Sequence, residues 1–207
     1  MKILITAFDP FGGESVNPAE LAVSRLSTRI AGAEIIKLIV PTVFGASTET
    51  VLAAIEAERP DAVICIGQAG GRCAITPERI AVNVIDARIA DNAGNRPVDE
   101  PVIKGGPDAY FSTLPIKAIV ERIRESGIPA SVSESAGTFV CNALMYGVLH
   151  ALKTRFSGII GGFIHIPFAP VQVADKTAPS MNLNDVITGI EAAVSATVDA
   201  LKNKQKQ

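Results

Sequence analysis

The stretch DAVICIG, residues 61–67, decides the fold class of this sequence. Every residue between Asp61 and Gly67 is apolar, and the run is short and rich in β-branched side chains. A strand that is apolar almost continuously is typical of a parallel sheet covered on both faces. The stretch therefore predicts an α/β fold, in which a mostly parallel, twisted central sheet lies between helices as an α/β/α sandwich.

The rest of the chain repeats this pattern as an alternation of strands and helices. Apolar, β-branched runs predict strands at 3–7, 35–40, 62–66, 131–133 and 158–166. Helical segments are predicted at 18–29, 46–58, 116–126, 139–153 and 183–203, the last one followed by a polar tail. ERIAVNVIDARI (78–89) adds an extended run, and the Gly/Pro/Asp-rich stretch 90–115 predicts a long loop or hairpin excursion. The order of elements indicates βαβ units.

Length and composition favour one globular domain. The chain has 207 residues, of which 48% are hydrophobic and 19% are charged, so it can bury a sizeable core. No shift in composition marks a second domain, and we expect a single catalytic domain over residues 1–207. The formal net charge of −2 leaves no basic stripe for phosphates, which argues against nucleic acid as a partner.

Targeting signals are not expected. The N-terminus MKILITAFDP has too short an apolar run for a signal peptide, and the longest apolar run, from Gly158, is broken by Gly, Pro, His and Gln. We therefore expect a cytoplasmic protein that does not enter a membrane.

Cysteine usage excludes two further classes. The three cysteines, Cys65, Cys73 and Cys141, are odd in number and form no CxxC pair, and only two histidines could join them as metal ligands. We expect neither a disulfide framework nor a metal site, and no cofactor.

The chemistry is expected at the carboxyl ends of the strands, because loops converge there in a sheet of this type. Four stretches fall at such ends: FDPFGG (8–13), GQAGGR (67–72), SESAGT (133–138) and HIPF (165–168).

Cys141 is the candidate nucleophile. VSESAGTFVCNALMYG (132–147) predicts a strand, a tight turn at Gly137 and a helix capped by Thr138, which puts Cys141 in the first helical turn. Free N–H groups and the helix dipole favour a thiolate there and could also hold an oxyanion. The alternative is that Cys141 is a small buried hydrophobe, as we expect for Cys65.

A thiol nucleophile usually needs a base, and geometry separates the two histidines. His150 follows Cys141 by nine residues on the same predicted helix, so it points to the opposite face, about 13 Å along the axis. His165 ends a strand at the edge where Cys141 emerges, which makes it the candidate, although a hydrogen-bonded core histidine is the alternative. A third group should orient the imidazole. The acids near the predicted loops are Glu78, Asp86, Asp91 and Glu134, and spacing does not choose among them.

Six motifs together resemble the pyroglutamyl peptidase I family, also called the pyrrolidone-carboxylate peptidases. They are FDPFGGESVNPAE (8–20), GQAGGR (67–72), ITPERIAVN (75–83), DARIADN (86–92), SAGTFVCN (135–142) and GGFIHIPF (161–168), and they cover almost the whole chain in the same order.

The resemblance implies a cysteine exopeptidase that removes N-terminal L-pyroglutamyl residues from peptides through a thioester. It implies a catalytic triad of Cys141, His165 and Glu78, with Arg88 supporting the oxyanion. It also implies a homotetramer and a pocket for the pyroglutamyl ring, matched here by Phe8, Phe11, Gln68, Phe139 and Val140. A neutral, flat lactam offers no charge to grip, so shape, ring contacts and a few hydrogen bonds must select it.

Two other functions compete with this one. The glycines of GQAGGR suggest a phosphate or nucleoside binder, but they form neither GxGxxG nor GxxxxGK[ST], so that signal is weak. The second is a thiol amidase that acts on a different acyl group.

Overall fold

The computed structural model of the chain describes residues 1–204. Its strands are β1 (Lys2–Phe8), β2 (Arg29–Ile30), β3 (Ala33–Val40), β4 (Ala62–Gln68), β5 (Thr76–Pro77), β6 (Ile80–Val82), β7 (Ala109–Phe111) and β8 (Ile160–Ile166). Its helices are α1 (Pro18–Arg25), α2 (Ala46–Glu58), α3 (Ile116–Glu125), α4 (Val140–Thr154) and α5 (Leu183–Lys204), and a 3₁₀ turn spans Pro170–Val173.

The central sheet has six strands in the order β2-β3-β1-β4-β8-β5. The four inner strands are parallel to one another, and the short strands β2 and β5 pair antiparallel with β3 and β8 at the two edges. The predicted α/β fold with a mostly parallel sheet is thus confirmed.

Two cores cover the two faces of the sheet, because side chains alternate along each strand. On β1, Ile3 and Ile5 pack into a core with α1, α3 and α5, whereas Leu4 packs into a core with α2 and α4. All seven residues of β4 are buried, as the apolar run 62–66 predicts. Helices on both faces complete the α/β/α sandwich.

Two predicted elements differ from the structure. Residues 131–133 are not a strand: Ser133 joins Glu78 only through an isolated parallel bridge, since this polar segment runs along the sheet edge. The helix predicted at 18–29 ends at Arg25, because Leu26 adopts an extended conformation (φ −56°, ψ 151°) and its N–H bonds to the Val23 carbonyl.

The excursion between β6 and β7 covers residues 83–108, so it begins before the stretch 90–115 predicted for it, and β7 lies inside that stretch. β6 and β7 form a separate two-stranded antiparallel sheet at its two ends. Asn142 on α4 fixes β6, since its Oδ1 accepts from the Val82 N–H at 3.0 Å and its Nδ2 donates to the Val82 and Val84 carbonyls at 2.9 and 3.0 Å. Helix α4 and the excursion are therefore joined directly.

The predicted polar tail beyond residue 204 lies outside the described residues, and a single domain over 1–207 stays a prediction. None of the helices that the structure describes is long and apolar enough to cross a membrane.

Candidate active site

Cys141 lies in the first turn of α4, as the sequence predicts. Gly137 has a φ of +78°, a left-handed conformation that glycine adopts without strain, and it turns the chain into the helix. The helix cap differs from the prediction: Phe139 precedes the first helical residue, and the Thr138 hydroxyl donates to the Asp86 carbonyl at 2.9 Å instead. The first helical hydrogen bond runs from the Ala143 N–H to the Phe139 carbonyl, so the Cys141 N–H precedes it.

His165 lies near the carboxyl end of β8, in register with Gly67 on β4 and Thr76 on β5. Its side chain is 4% exposed, and its Nδ1 lies 2.7 Å from Oε1 of Glu78. Because the ionised carboxylate can only accept, Nδ1 carries the proton of the neutral imidazole. Nε2 is then the unprotonated nitrogen.

Glu78 directly follows β5 and is completely buried. Its N–H donates to the Phe163 carbonyl on β8 at 2.9 Å, which fixes its backbone beside His165. The Arg72 guanidinium also donates to Oε1 of Glu78 at 2.7 Å, and it contacts the Thr76 hydroxyl and the Ser135 carbonyl. A single oxygen of the Glu78 carboxylate therefore accepts hydrogen bonds from both the imidazole and the guanidinium.

Charges around Glu78 keep it ionised. Burial alone would raise the pKa of Glu78, but its hydrogen bond to His165 and the positive charge of Arg72 hold the pKa below the ordinary value. The carboxylate therefore stays ionised at neutral pH.

The imidazole and the thiol are neutral at rest. Burial lowers the pKa of His165; Glu78 works in the opposite direction, and Arg72 lowers the pKa further. Burial raises the pKa of the Cys141 thiol to about 12, and the negative charge of Glu78 adds to that rise. The expectation that the helix N-terminus favours a thiolate at rest is therefore wrong, because burial and the charge of Glu78 outweigh the Arg72 charge and the backbone hydrogen bond that lower the pKa of Cys141. The thiol proton must be removed by a base when the thiol reacts.

A cavity of about 770 Å³ opens at this edge of the sheet. Two other cavities, of about 450 and 430 Å³, are smaller and lie elsewhere. The residues lining the larger cavity are Phe11, Gly12, Glu14, Gln68, Ala69, Gly70, Arg72, Asp86, Arg88, Ile89, Ser135, Ala136, Gly137, Thr138, Phe139, Cys141, His165 and Phe168. The four stretches predicted to converge here all contribute to it.

Most of the predicted site residues lie on this cavity. Its lining includes Cys141, His165, Arg88, Phe11, Gln68 and Phe139. Glu78 lies against His165 and away from the cavity. Phe8 and Val140 are buried in the core shared with α2 and α4, where the Phe8 ring centroid lies 6.3 Å from that of Phe163.

The other candidates lie apart from the imidazole. His150 contacts the Tyr110 hydroxyl through Nδ1 at 2.9 Å, on the opposite side of α4 as the helix geometry predicts.

Glu134 pairs with Arg79 on the surface. Asp91 is buried and accepts from the Phe44 and Ala93 backbone N–H groups. Asp86 lines the cavity, but Glu78 is the acid that contacts His165.

The sequence reasoning missed Arg72. It ends the motif GQAGGR (67–72), which indicates a site loop but does not mark its arginine as a partner of Glu78. An arginine six residues before a candidate carboxylate could have been recognised as its partner only once β5 was known to lie between them.

Residues 1–204 contain no group of three or more His, Cys, Asp or Glu side chains that could hold a metal ion.

A thiol and a carboxylate-bound imidazole on one cavity, at the carboxyl ends of parallel strands, define the class of thiol hydrolases. The family model for pyroglutamyl peptidase matches residues 1–200. The chain is 58% identical over 200 residues to a pyrrolidone-carboxylate peptidase of Clostridium botulinum. The aligned region covers 96% of this chain and 94% of the relative.

Solved structures agree with the sequence comparison. The crystal structure of Bacillus amyloliquefaciens pyroglutamyl peptidase I superimposes with a TM-score of 0.93 at 49% identity, covering 96% of this chain and 97% of that one. A mutant pyrrolidone carboxyl peptidase from Pyrococcus furiosus gives 0.93 at 43% identity, covering 97% and 100%. The chain belongs to the pyroglutamyl peptidase family, a family of cysteine-type hydrolases.

Proposed function

We propose that this chain removes N-terminal L-pyroglutamyl residues from peptides through a thioester acyl-enzyme, with Cys141, His165 and Glu78 as its catalytic triad. The observation that carries the proposal is the 2.7 Å contact between His165 Nδ1 and Glu78 Oε1 on a cavity that Cys141 also lines. Family membership supports the pyroglutamyl substrate.

The first step is attack of the Cys141 sulfur on the pyroglutamyl carbonyl carbon. Because the resting thiol is neutral, His165 Nε2 takes its proton as the S–C bond forms. Glu78 stabilises the imidazolium that results, since the ionised carboxylate remains bound to Nδ1–H. The negative charge that develops on the carbonyl oxygen is held by the Cys141 N–H and by Arg88.

The second half of the reaction reverses these roles. The imidazolium donates its Nε2 proton to the leaving amine as the C–N bond breaks, which releases the shortened peptide. Water then attacks the thioester and gives its proton to Nε2, and pyroglutamate leaves as the thiol is restored. No cofactor takes part in either step.

The cavity suits a neutral ring. Phe11 and Phe139, with ring centroids 6.3 Å apart, and Phe168 supply flat apolar surface for the lactam. Gln68 also lines this cavity, while Phe8 and Val140 support this wall from the core. The substrate partners are N-terminally pyroglutamylated peptides. Homotetrameric assembly and a cytoplasmic location stay predictions.

Hydrolysis of a pyroglutamyl coumarin amide tests the proposal. Wild type should release coumarin, whereas Cys141→Ser and His165→Gln should lose at least about 100-fold in kcat. Matched controls are Cys73→Ser, at an exposed cysteine, and His150→Gln, at the other histidine; both should retain wild-type kcat. Mass spectrometry of wild type quenched during turnover should find one pyroglutamyl acyl group on Cys141. Full activity of Cys141→Ser would refute the mechanism.

A further inference from the structure

One oxygen of the Glu78 carboxylate is buried without a partner. Oε1 accepts from His165 and Arg72. Oε2 is fully buried and, among residues 1–204, meets no hydrogen-bond donor. An ionised carboxylate oxygen has room for about two hydrogen bonds, and a buried oxygen that makes none carries the full cost of leaving water. A donor that can turn towards Oε2 would remove that cost.

Ser133 is the hydroxyl that the fold puts beside Glu78. The two residues are partners in an isolated parallel bridge, in which the Ser133 N–H donates to the Pro77 carbonyl at 3.0 Å and the Arg79 N–H donates to the Ser133 carbonyl at 2.8 Å. Neighbouring strands lie about 4.7–4.9 Å apart, and residues paired side by side point to the same face of the sheet. The Ser133 side chain therefore leaves the backbone on the face that carries the Glu78 carboxylate.

The hydroxyl of Ser133 is weakly held where it lies. Its Oγ is 3.2 Å from the Ser135 carbonyl oxygen and 3.4 Å from the Ser135 backbone nitrogen. Hydroxyl hydrogen bonds are usually about 2.7–2.8 Å long, so both contacts are weak. Ser135 is exposed, so water can replace them. Rotation about the Ser133 Cα–Cβ bond can therefore direct the hydroxyl elsewhere at little cost.

A second set of contacts places this hydroxyl near the carboxylate. The Arg72 guanidinium donates to Glu78 Oε1 at 2.7 Å and to the Ser135 carbonyl at 3.3 Å. That carbonyl is the one that Ser133 Oγ contacts. Burial raises the pKa of Glu78, and a hydrogen bond from the Ser133 side chain is among the effects that lower it. The hydroxyl therefore lies within reach of the carboxylate, although it is turned towards Ser135.

Thr76 is the other hydroxyl near this carboxylate, and it has its own partners. It lies two residues before Glu78, accepts from the Arg72 guanidinium and contacts the His165 carbonyl at 3.4 Å. Turning it to Oε2 would disturb the contact with Arg72, whereas turning Ser133 gives up only contacts that water can replace. Ser133 is therefore the better donor for Oε2.

We propose that Ser133 is a positioning residue for the triad: its hydroxyl donates to Glu78 Oε2 and holds the carboxylate with Oε1 against the imidazole. This inference rests on the proposed function and adds a residue outside the cavity lining. A carboxylate bound at both oxygens keeps its plane fixed while His165 gains and loses a proton, so Nε2 keeps its direction throughout the reaction. Without the hydroxyl, Oε1 alone holds the carboxylate.

Ser133→Thr and Ser133→Val form a matched pair, because their side chains have nearly the same shape and only threonine has a hydroxyl. With a pyroglutamyl coumarin amide, kcat should stay within about twofold of wild type in Ser133→Thr and fall at least about 10-fold in Ser133→Val, the effect of one lost hydrogen bond to a charged group. KM should change in neither variant, since Ser133 does not line the cavity. The control Ser131→Ala, at an exposed serine of the same segment, should retain wild-type kcat.

The ionisation of Glu78 separates this role from support of the loop. The charged or titratable groups that face Glu78 are His165, Arg72 and Cys141, and they are the same in both variants. ¹³C NMR of protein labelled at the glutamate carboxyl carbons follows the titration, and loss of a signal in Glu78→Gln identifies Glu78. Because a donor to the carboxylate favours its charged form, the pKa of Glu78 should be higher in Ser133→Val than in Ser133→Thr. A merely structural role would leave that pKa unchanged.

The outcomes distinguish this inference from the proposed function. Wild type that does not cleave the pyroglutamyl amide refutes the proposed function, and the positioning role with it. Wild type that cleaves it, with equal kcat in Ser133→Thr and Ser133→Val, with a raised KM in Ser133→Val, or with a Glu78 titration that begins at the same pH in both, overturns this inference alone. If Ser133→Val does not fold, as judged by circular dichroism, Ser133→Ala takes its place with the same expectations.

Discussion

Arg72 donates to the buried Oε1 of Glu78 at 2.7 Å. The same oxygen is 2.7 Å from His165 Nδ1, so the guanidinium and the imidazole share one carboxylate oxygen. Arg72 keeps a permanent positive charge, whereas His165 is charged only when it has taken a proton. The guanidinium therefore holds Glu78 ionised throughout the reaction and at the same time lowers the pKa of the imidazole.

Arg72→Met should raise the pKa of His165, because a positive charge that disfavours the imidazolium is removed. The acid limb of kcat/KM should move to higher pH, and the plateau should fall about 10-fold as Glu78 loses a partner. NMR titration of the two imidazoles measures this directly, with His150 as the internal control. Arg72→Lys retains the charge and should restore most of the wild-type pKa. An unchanged His165 titration in Arg72→Met would contradict the role.

Glu78→Gln should shift the acid limb of kcat/KM to lower pH, opposite to Arg72→Met. Glu78 raises the pKa of His165 by its hydrogen bond and its charge, so a neutral amide lets burial lower that pKa further. The imidazolium also loses its counter-charge, and we expect kcat to fall about 10²- to 10⁴-fold. pH profiles of kcat/KM for both variants check the opposite signs. Shifts in the same direction would show that Glu78 and Arg72 do not act on His165 by their charges.

Gly67→Ala should damage the site through contact alone. A Cβ at Gly67 would lie 2.6 Å from Cζ of the buried Phe163 and 3.1 Å from the Cys141 sulfur, although the backbone conformation there suits alanine. Overpacking of this kind costs about 1–3 kcal/mol. The free energy of unfolding measured by urea denaturation and the kcat should both be lower than in wild type.

Relief of the Phe163 contact provides the control for that variant. Phe163→Leu in the Gly67→Ala background should recover part of the stability, because the smaller side chain leaves room for the methyl group. It should not restore kcat, since the contact with the Cys141 sulfur remains. Wild-type kcat in Gly67→Ala alone would show that the sulfur can move freely.

The sequence predicted those features that local pattern controls. The helix at 46–58 agrees at both ends with α2, and the all-apolar run 62–66 lies wholly in buried β4, because burial on both faces leaves a pattern readable in one stretch. Segment 131–133 was misread because its pairing with Glu78 depends on a distant edge strand and not on its own composition.

The site was predictable only in part, for the same reason. Helix geometry excluded His150 correctly, since the argument needed one element alone. The raised pKa of Cys141 could not be predicted, because desolvation depends on what packs over the sulfur from other elements. The hydrogen bond from Gln172 to Gln68, a residue of the cavity lining, joins residues 104 positions apart, and no local pattern marks it.

Asp91 ties the excursion that carries Arg88 to the body of the molecule. Its carboxylate accepts from the backbone N–H groups of Phe44, Ala93 and Asn95 at 2.8–3.0 Å, and from the Asn95 side chain at 2.9 Å. Burial would raise the pKa of Asp91, but these hydrogen bonds lower it below the ordinary 3.8. Asp91→Asn replaces one acceptor oxygen by a donor, so we expect a loss of about 2–4 kcal/mol in the free energy of unfolding at pH 7.

The pH dependence of that loss tests its electrostatic origin. A lowered folded-state pKa contributes stability that is fully present well above pH 3.8 and is lost as the pH falls through the folded-state value. The difference between wild type and Asp91→Asn should therefore be constant above about pH 5 and shrink below pH 3.8, as wild type loses its advantage. Urea denaturation across this range measures it, with Asp175→Asn, an exposed aspartate, as the control. A difference that does not change with pH would mean that the variant acts through packing and not through the charge of Asp91.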